Sequence, residues 1–177
     1  FCDALIKKFE LDSRAHPSKI GPEGALDTNI RDSLNLEINL YPDWKQEVDE
    51  IRAMIFSRLT KYLDDIPVAL TGSMWKGGVD SSYTIMKYVP GSIGYRWHND
   101  FMMDENGGCR TVTWLFYLND CDGGETEFKW GRKIKAETGK LVLFPSDWTM
   151  VHRGCPVNSG AKYLGVGWLC STWNRGM

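Results

Sequence analysis

Histidine is scarce in this chain: among 177 residues there are only His16, His98 and His152. Chemistry that needs an imidazole therefore has few possible sources. No apolar run approaches the roughly 20 residues of a membrane-spanning helix. No block of lysine and arginine is present, and the net charge is −2 with a pI near 5.9. Nucleic-acid binders usually carry a basic surplus or stripe, so neither nucleic acid nor membrane is an expected partner. The five cysteines form no CxxC pair and their number is odd, which argues against a disulfide framework or a zinc ribbon. Reduced thiols in a cytoplasmic protein are the simpler expectation. The chain opens on Phe1 rather than Met, which leaves room for a trimmed targeting segment ahead of it. Internal repeats and low-complexity tracts are also missing, and the length suits one domain with a real core.

What is present divides into two halves. In "FCDALIKKFEL", Phe1, Leu5 and Phe9 recur at helical spacing, which predicts a short amphipathic helix. Residues 12–33 are polar and rich in Gly, Pro, Asp and Ser, and so read as loop, with His16 as a solvated loop residue. "LNLEINL" alternates strictly over 34–40 and predicts a half-buried strand. Trp44, Val48, Ile51, Ile55, Leu59 and Tyr62 then form one stripe of a long helix over about 43–64. From Ser82 onward the chain reads as strands near 82–89, 111–119, 125–130, 132–137, 140–145 and 162–170, separated by turn sequences such as "PGSIG", "DGG" and "NSG". Helices first and many short strands later predict a mainly β sandwich or barrel with flanking helices on one outer face.

"YRWHND" places His98 and Asp100 two residues apart. In extended backbone such residues project to the same side. His152 follows 52 residues later. Two histidines and a carboxylate on one face of a non-haem Fe(II) leave positions open for a cosubstrate and dioxygen. Zinc hydrolases use the same donor types, so the triad alone leaves the metal open. Three unconnected surface residues would also show this spacing. Ten residues after His152, Lys162 opens "KYLGVGWL", in phase with Leu164, Val166 and Trp168. A lysine on an interior face is costly unless paired, and no acidic residue lies in this strand. Either an anionic ligand such as a dicarboxylate answers it, or the side chain reaches solvent from the strand end. In "TVTWLFYLN", Thr113, Leu115 and Tyr117 share a face, and an interior tyrosine hydroxyl needs a partner: the far carboxylate of that ligand, or backbone.

Taken in order, "YVPGSIGYRWHND", "RTVTWLFYLND", "GGETEF", "GKLVLFPS", "HRGCPVNSGAKY" and "GVGW" resemble the Fe(II)/2-oxoglutarate-dependent prolyl hydroxylases, the prolyl 4-hydroxylase family. The likeness runs from about Phe1 to Trp173 and is strongest over 83–168. It implies a double-stranded β-helix, a jelly-roll or cupin-like barrel, braced by N-terminal α-helices. It further implies one dioxygenase domain over 1–177: a helical support region with one strand over 1–70, a substrate lid loop over 71–82, and a catalytic core over 83–173. His98, Asp100 and His152 would hold Fe(II). Lys162, helped by Tyr117, Thr113 and Tyr88, would bind 2-oxoglutarate. With dioxygen, and with ascorbate as an accessory reductant, the enzyme would hydroxylate a prolyl residue of a peptide or protein, releasing succinate and carbon dioxide.

The likeness is mixed. Tyr95, three residues before His98, matches the oxygen-sensing branch of the family, whereas lysine at ten after the distal histidine matches the collagen type. By resemblance to the sensing branch, Tyr95, Arg110, Trp168 and Arg175 fall where substrate is contacted, and Trp75 in the lid loop would clamp a peptide. Free proline or another small molecule is the rival substrate. A non-catalytic metal- or ligand-binding barrel would suit a chain lacking a ligand or the lysine, and this one has them all. A zinc hydrolase would need a general base, for which Asp147 and Glu127 are the candidates.

Overall fold

A computed structural model describes residues 1–20, 24–65, 79–103 and 108–172. In chain order the elements are α1 (Cys2–Glu10), β1 (His16–Pro17), β2 (Leu34–Glu37), 3₁₀ turns at Ile38–Leu40 and Pro42–Trp44, α2 (Lys45–Asp64), β3 (Val79–Tyr88), β4 (Tyr95–His98), β5 (Gly108–Tyr117), β6 (Asp122–Gly123), β7 (Thr126–Phe128), β8 (Lys133–Ile134), β9 (Leu141–Pro145), β10 (His152–Gly154), β11 (Val157–Ser159) and β12 (Lys162–Thr172). A six-stranded sheet has the order β1-β2-β3-β12-β5-β9, and a four-stranded sheet the order β4-β10-β7-β8. All pairings are antiparallel, and β6 and β11 form a further small pair. The two main sheets face each other as a double-stranded β-helix.

The period-two alternation of the long strands assigns each face. Tyr83 and Ile85 of β3 and Trp114 and Phe116 of β5 point outward, to a layer formed by Leu5 and Phe9 of α1, Trp44, and Val48, Ile51 and Ile55 of α2. Met86 and Tyr88, Leu115 and Tyr117, and Leu164 and Val166 point inward, toward Phe128, Phe144 and Val157. Each fully buried large apolar side chain contributes roughly 1.5–3 kcal/mol, so α2 is held by its buried stripe rather than by its polar outer face. The bare outward positions of β12 have a packing reason. The Trp114 ring lies across Gly165 and Gly167, and a Cβ at Gly167 would come within 2.5 Å of that ring and into the Ser82 carbonyl. Ser82 itself takes a positive φ of 65°, opposite a register shift between Gly167 and Trp168.

Two expectations from the N-terminal half need correction. The strand over 34–40 stops at Glu37, where the chain turns into a 3₁₀ segment. Leu36 and Ile38 are buried while Leu34 and Leu40 are exposed, because the turn ends the alternation. His16 is not a free loop residue: it lies in β1 and its Nε2 meets Glu37 Oε2 at 2.8 Å. Of the lid loop over 71–82, residues 71–78, including Trp75, lie outside the described residues, and the rest opens β3. Among the described residues no helix is long and apolar enough to cross a membrane.

Candidate metal centre and cosubstrate pocket

The register of the smaller sheet closes the 52-residue gap between the histidines. His98 ends β4, His152 begins β10, and the two are cross-strand partners with ring centroids 4.3 Å apart. Asp100 follows as the chain leaves β4. Its Oδ1 lies 3.8 Å from His98 Nε2 and its Oδ2 lies 3.6 Å from His152 Nε2. Donor atoms of all three residues lie within 4.8 Å of one another. Three donors each about 2.1 Å from one ion at right angles sit about 3 Å apart, so modest closure brings this set onto a metal.

The outer atoms of the triad are held in place. His98 Nδ1 meets the Arg96 carbonyl at 2.7 Å and His152 Nδ1 meets the Met150 carbonyl at 2.9 Å. A carbonyl can only accept, so each ring carries its proton on Nδ1 and presents the Nε2 lone pair inward. Burial, reinforced by the neighbouring His152, pushes His98 down to about 4, which keeps it neutral and able to ligate. Thr113 donates from Oγ1 to Asp100 Oδ2 at 2.9 Å and sits 2.9 Å from Ser146 Oγ. The structure thus places Thr113 behind the carboxylate of the triad, whereas the family likeness had put it on the cosubstrate.

Lys162 faces the same cavity from β12 and is 2% exposed. Its Nζ donates to the Gly124 carbonyl at 2.6 Å. It lies directly opposite Tyr88 of β3, and its Nζ is 5.5 and 5.4 Å from the ring centres of Tyr88 and Tyr117. No carboxylate pairs with it among the described residues. Burial pulls its ammonium down to about 8. Burial also pushes Tyr88 and Tyr117 up to about 12, so both stay protonated. Tyr117 donates its hydroxyl to Thr126 Oγ1 at 2.6 Å, and Thr126 lines the cavity beside Lys162.

The cavity has a volume of about 630 Å³ and runs from Lys162 and Tyr88 past the triad to Arg110, Trp168 and Met102. Tyr95 stacks on the His98 ring with centroids 3.6 Å apart at 22°, and the Arg31 guanidinium lies 5.0 Å from the centre of the Tyr95 ring. Arg110 lies 3.5 Å over the Trp168 ring. Arg175 lies outside the described residues. Sequence reasoning missed Arg31, Thr126 and Ser146. Ser146 ends the "GKLVLFPS" motif, while nothing in the loop around Arg31 marks it. Trp97, whose role no pattern suggested, points away from the cavity, under Lys129 and Arg153 at 4.7 and 4.8 Å.

A β-helix with two histidines, a carboxylate and a buried lysine on one cavity defines a metal-dependent oxygenase class, and sequence comparison agrees. Residues 83–170 match the profile of the 2OG-Fe(II) oxygenase superfamily, and the chain belongs to it. It is 34% identical over 107 residues to probable prolyl 4-hydroxylase 3 of Arabidopsis thaliana, which covers 42% of this chain and 37% of that relative. It is 39% identical over 71 residues to prolyl 4-hydroxylase subunit alpha-1 of Gallus gallus, 35% of this chain and 14% of that one. The chain therefore spans well under half the length of these curated relatives. Its fold is similar to that of a viral collagen prolyl hydroxylase from Paramecium bursaria Chlorella virus-1 in its 2-oxoglutarate complex (TM-score 0.69, 21% identity, 97% of this chain and 90% of that one). It is also similar to a Trichoplax adhaerens prolyl hydroxylase bound to a hypoxia-inducible-factor oxygen degradation domain peptide (TM-score 0.69, 18% identity, 95% and 74%).

The residues present fit the iron and 2-oxoglutarate of this superfamily. The donor set is two imidazoles and a carboxylate with an open side on the cavity. The buried cation at the far end lacks an anion among the described residues, as a site awaiting a carboxylate would.

Proposed function

We propose that this chain is an Fe(II)- and 2-oxoglutarate-dependent dioxygenase that hydroxylates prolyl residues of a peptide or protein. The observation that carries the reading is the buried Lys162 in the cavity onto which His98, Asp100 and His152 converge. When bound, iron and 2-oxoglutarate with dioxygen supply an oxidative decarboxylation to succinate and carbon dioxide, coupled to hydroxylation of a C–H bond. His98, Asp100 and His152 would hold the metal, with Thr113 fixing the rotation of the Asp100 carboxylate. Lys162 would neutralise the far carboxylate of 2-oxoglutarate. Tyr88 would add a hydroxyl donor there, and Tyr117 would orient Thr126. Met86, Leu115, Leu164 and Val166 line the walls and keep water from the reacting groups.

A peptide is favoured over free proline because the cavity opens at a broad mouth of exposed side chains, Phe101, Met102 and Met103. A zinc hydrolase is disfavoured. Glu127 is engaged by Arg153 at 2.6 Å, and Asp147 accepts from the Thr149 amide at 2.8 Å, so neither carboxylate is free to act as a general base. The reading takes 1–177 as one catalytic domain, and five cysteines outside any disulfide suit a reducing, cytoplasmic setting, with ascorbate as accessory reductant. The test is a mass-spectrometric screen of proline-containing peptides with Fe(II), 2-oxoglutarate and air. A +16 Da shift on proline with matching succinate supports it; succinate release with no prolyl product on any peptide would remove the prolyl assignment.

A further inference from the structure

β9, the edge strand of the large sheet, ends at Pro145, and the chain then crosses over residues 146–151 to His152, the first residue of β10 in the smaller sheet. This strand end and crossing touch the triad from outside at several points. Phe144 meets the His152 ring edge to face, with centroids 5.0 Å apart at 77°. The Met150 carbonyl accepts from His152 Nδ1. Ser146, 1% exposed, places its Oγ 2.9 Å from Thr113 Oγ1. The hydrogen-bond chain from Ser146 has one direction. Asp100 as a carboxylate only accepts, so the single proton of Thr113 Oγ1 goes to Asp100 Oδ2. Thr113 then has only lone pairs left, and Ser146 is the donor of the bond between them. Thr113 is 0% exposed, so bulk water does not replace that bond. Ser146 is itself held, because its amide donates to the Thr111 carbonyl at 3.1 Å. Beyond it, Asp147 closes the turn. Its Oδ1 accepts from the Thr149 amide at 2.8 Å, and its carbonyl accepts from the Met150 amide at 3.2 Å.

We propose that Ser146 is a positioning residue for the metal, acting on Asp100 through Thr113 as a two-hydroxyl relay. The inference rests on the metal centre of the function proposed above and is independent of its substrate. A hydroxyl that accepts one hydrogen bond becomes a stronger donor of its own. Ser146 therefore strengthens the bond from Thr113 and holds the Asp100 carboxylate in one rotation before metal arrives. A carboxylate already fixed loses less side-chain entropy on capturing an ion, and outer partners of this kind raise the affinity of the ligands they orient. The relay also joins elements that are far apart in sequence: the end of β9, the inner face of β5 and the segment after β4. The same crossing pins His152 through the Met150 carbonyl, so residues 146–150 steady two of the three ligands from one side.

The experiment compares Mn(II) binding by calorimetry in the parent, Ser146→Ala, Thr113→Val and the double variant. Ser146→Ala should weaken Mn(II) binding about threefold to tenfold, less than the loss expected for Thr113→Val, because it acts one bond further out. In the Thr113→Val background Ser146→Ala should add nothing, since no hydroxyl is left there to receive its bond. The visible absorption of the Co(II)-loaded protein should change in both single variants, whereas a mere loss of packing would lower Tm and leave that spectrum as it is. Mn(II) affinity of Ser146→Ala within about twofold of the parent would overturn the inference. So would losses that multiply in the double variant, because the two hydroxyls would then act separately. A parent that binds no Mn(II) would refute the metal centre itself, and the inference with it.

Discussion

Replacing Lys162 with methionine separates binding from folding in opposite directions. Burial holds the Lys162 ammonium at about 8 against an ordinary 10.5, a difference worth about 3 kcal/mol. The folded chain binds this proton less tightly than the unfolded chain. The penalty is therefore complete below pH 8 and is relieved as pH rises toward 10.5, so ligand-free stability should increase between pH 8 and 10. A dicarboxylate reverses the balance by supplying the missing anion. Its dissociation constant should rise about tenfold from pH 7 to pH 9 as Lys162 loses its proton. Cys121 and Cys155, which act on Lys162, are themselves pushed up by burial, so their thiolates form later on the alkaline side than an exposed thiol's would. Lys162→Met removes the buried charge while keeping most of its volume. The ligand-free variant should be as stable as the parent or more so in urea, and its alkaline gain should vanish. Its affinity for 2-oxoglutarate should fall by at least about 100-fold, the lower end of what removing one partner from a buried pair costs. Anaerobic calorimetry with Mn(II) in place of iron measures this. A dissociation constant within threefold of the parent would refute the pairing of Lys162 with the cosubstrate.

Thr113→Val deletes the donor to Asp100 Oδ2 at nearly constant volume. Metal affinity should drop about tenfold to 100-fold by equilibrium dialysis with Mn(II), with the circular dichroism spectrum unchanged. Gly167→Ala forces a Cβ into the Ser82 carbonyl and the Trp114 ring. It should cost about 3 kcal/mol or more and lower Tm by at least about 6 °C, read by calorimetry. Asp12 receives the Arg14 guanidinium and the Trp44 indole N–H at 2.8 Å, and the Arg14 hydrogen bonds hold its carboxyl well below the usual range. Its contribution is present above about pH 4 and is lost as pH falls further. Asp12→Asn should therefore be less stable at neutral pH and lose less stability on acidification in urea titrations.

Most of the site's framework was legible because strands write their faces as a two-residue alternation. Lys162, Leu164 and Val166, like Thr113, Leu115 and Tyr117, were placed on common faces by that rule, and the structure turns both sets inward. The spacing of His98 and Asp100 implied convergence, and the structure brings them together with His152. What escaped depends on contacts between distant segments. The stop of β2 at Glu37 follows from a turn into α2, and a strictly alternating "LNLEINL" carries no sign of it. The pairing of His152 with His98 belongs to strands of three and four residues, too short for periodicity to register. Thr113 could be assigned to an inner face but not to Asp100, because parity gives a direction and not a depth along the barrel. Arg31 reaches the mouth from a loop whose composition only announces irregular backbone.

The central claim is that one cavity joins a metal held by His98, Asp100 and His152 to a dicarboxylate held by Lys162. Its most direct test is succinate formation from 2-oxoglutarate by the Fe(II)-loaded protein in air, with Asp100→Ala and His152→Ala assayed alongside the parent. The account predicts iron-dependent succinate from the parent and loss of at least 99% of it in both variants, about 3 kcal/mol of lost transition-state stabilisation. Full succinate production by either variant would contradict it.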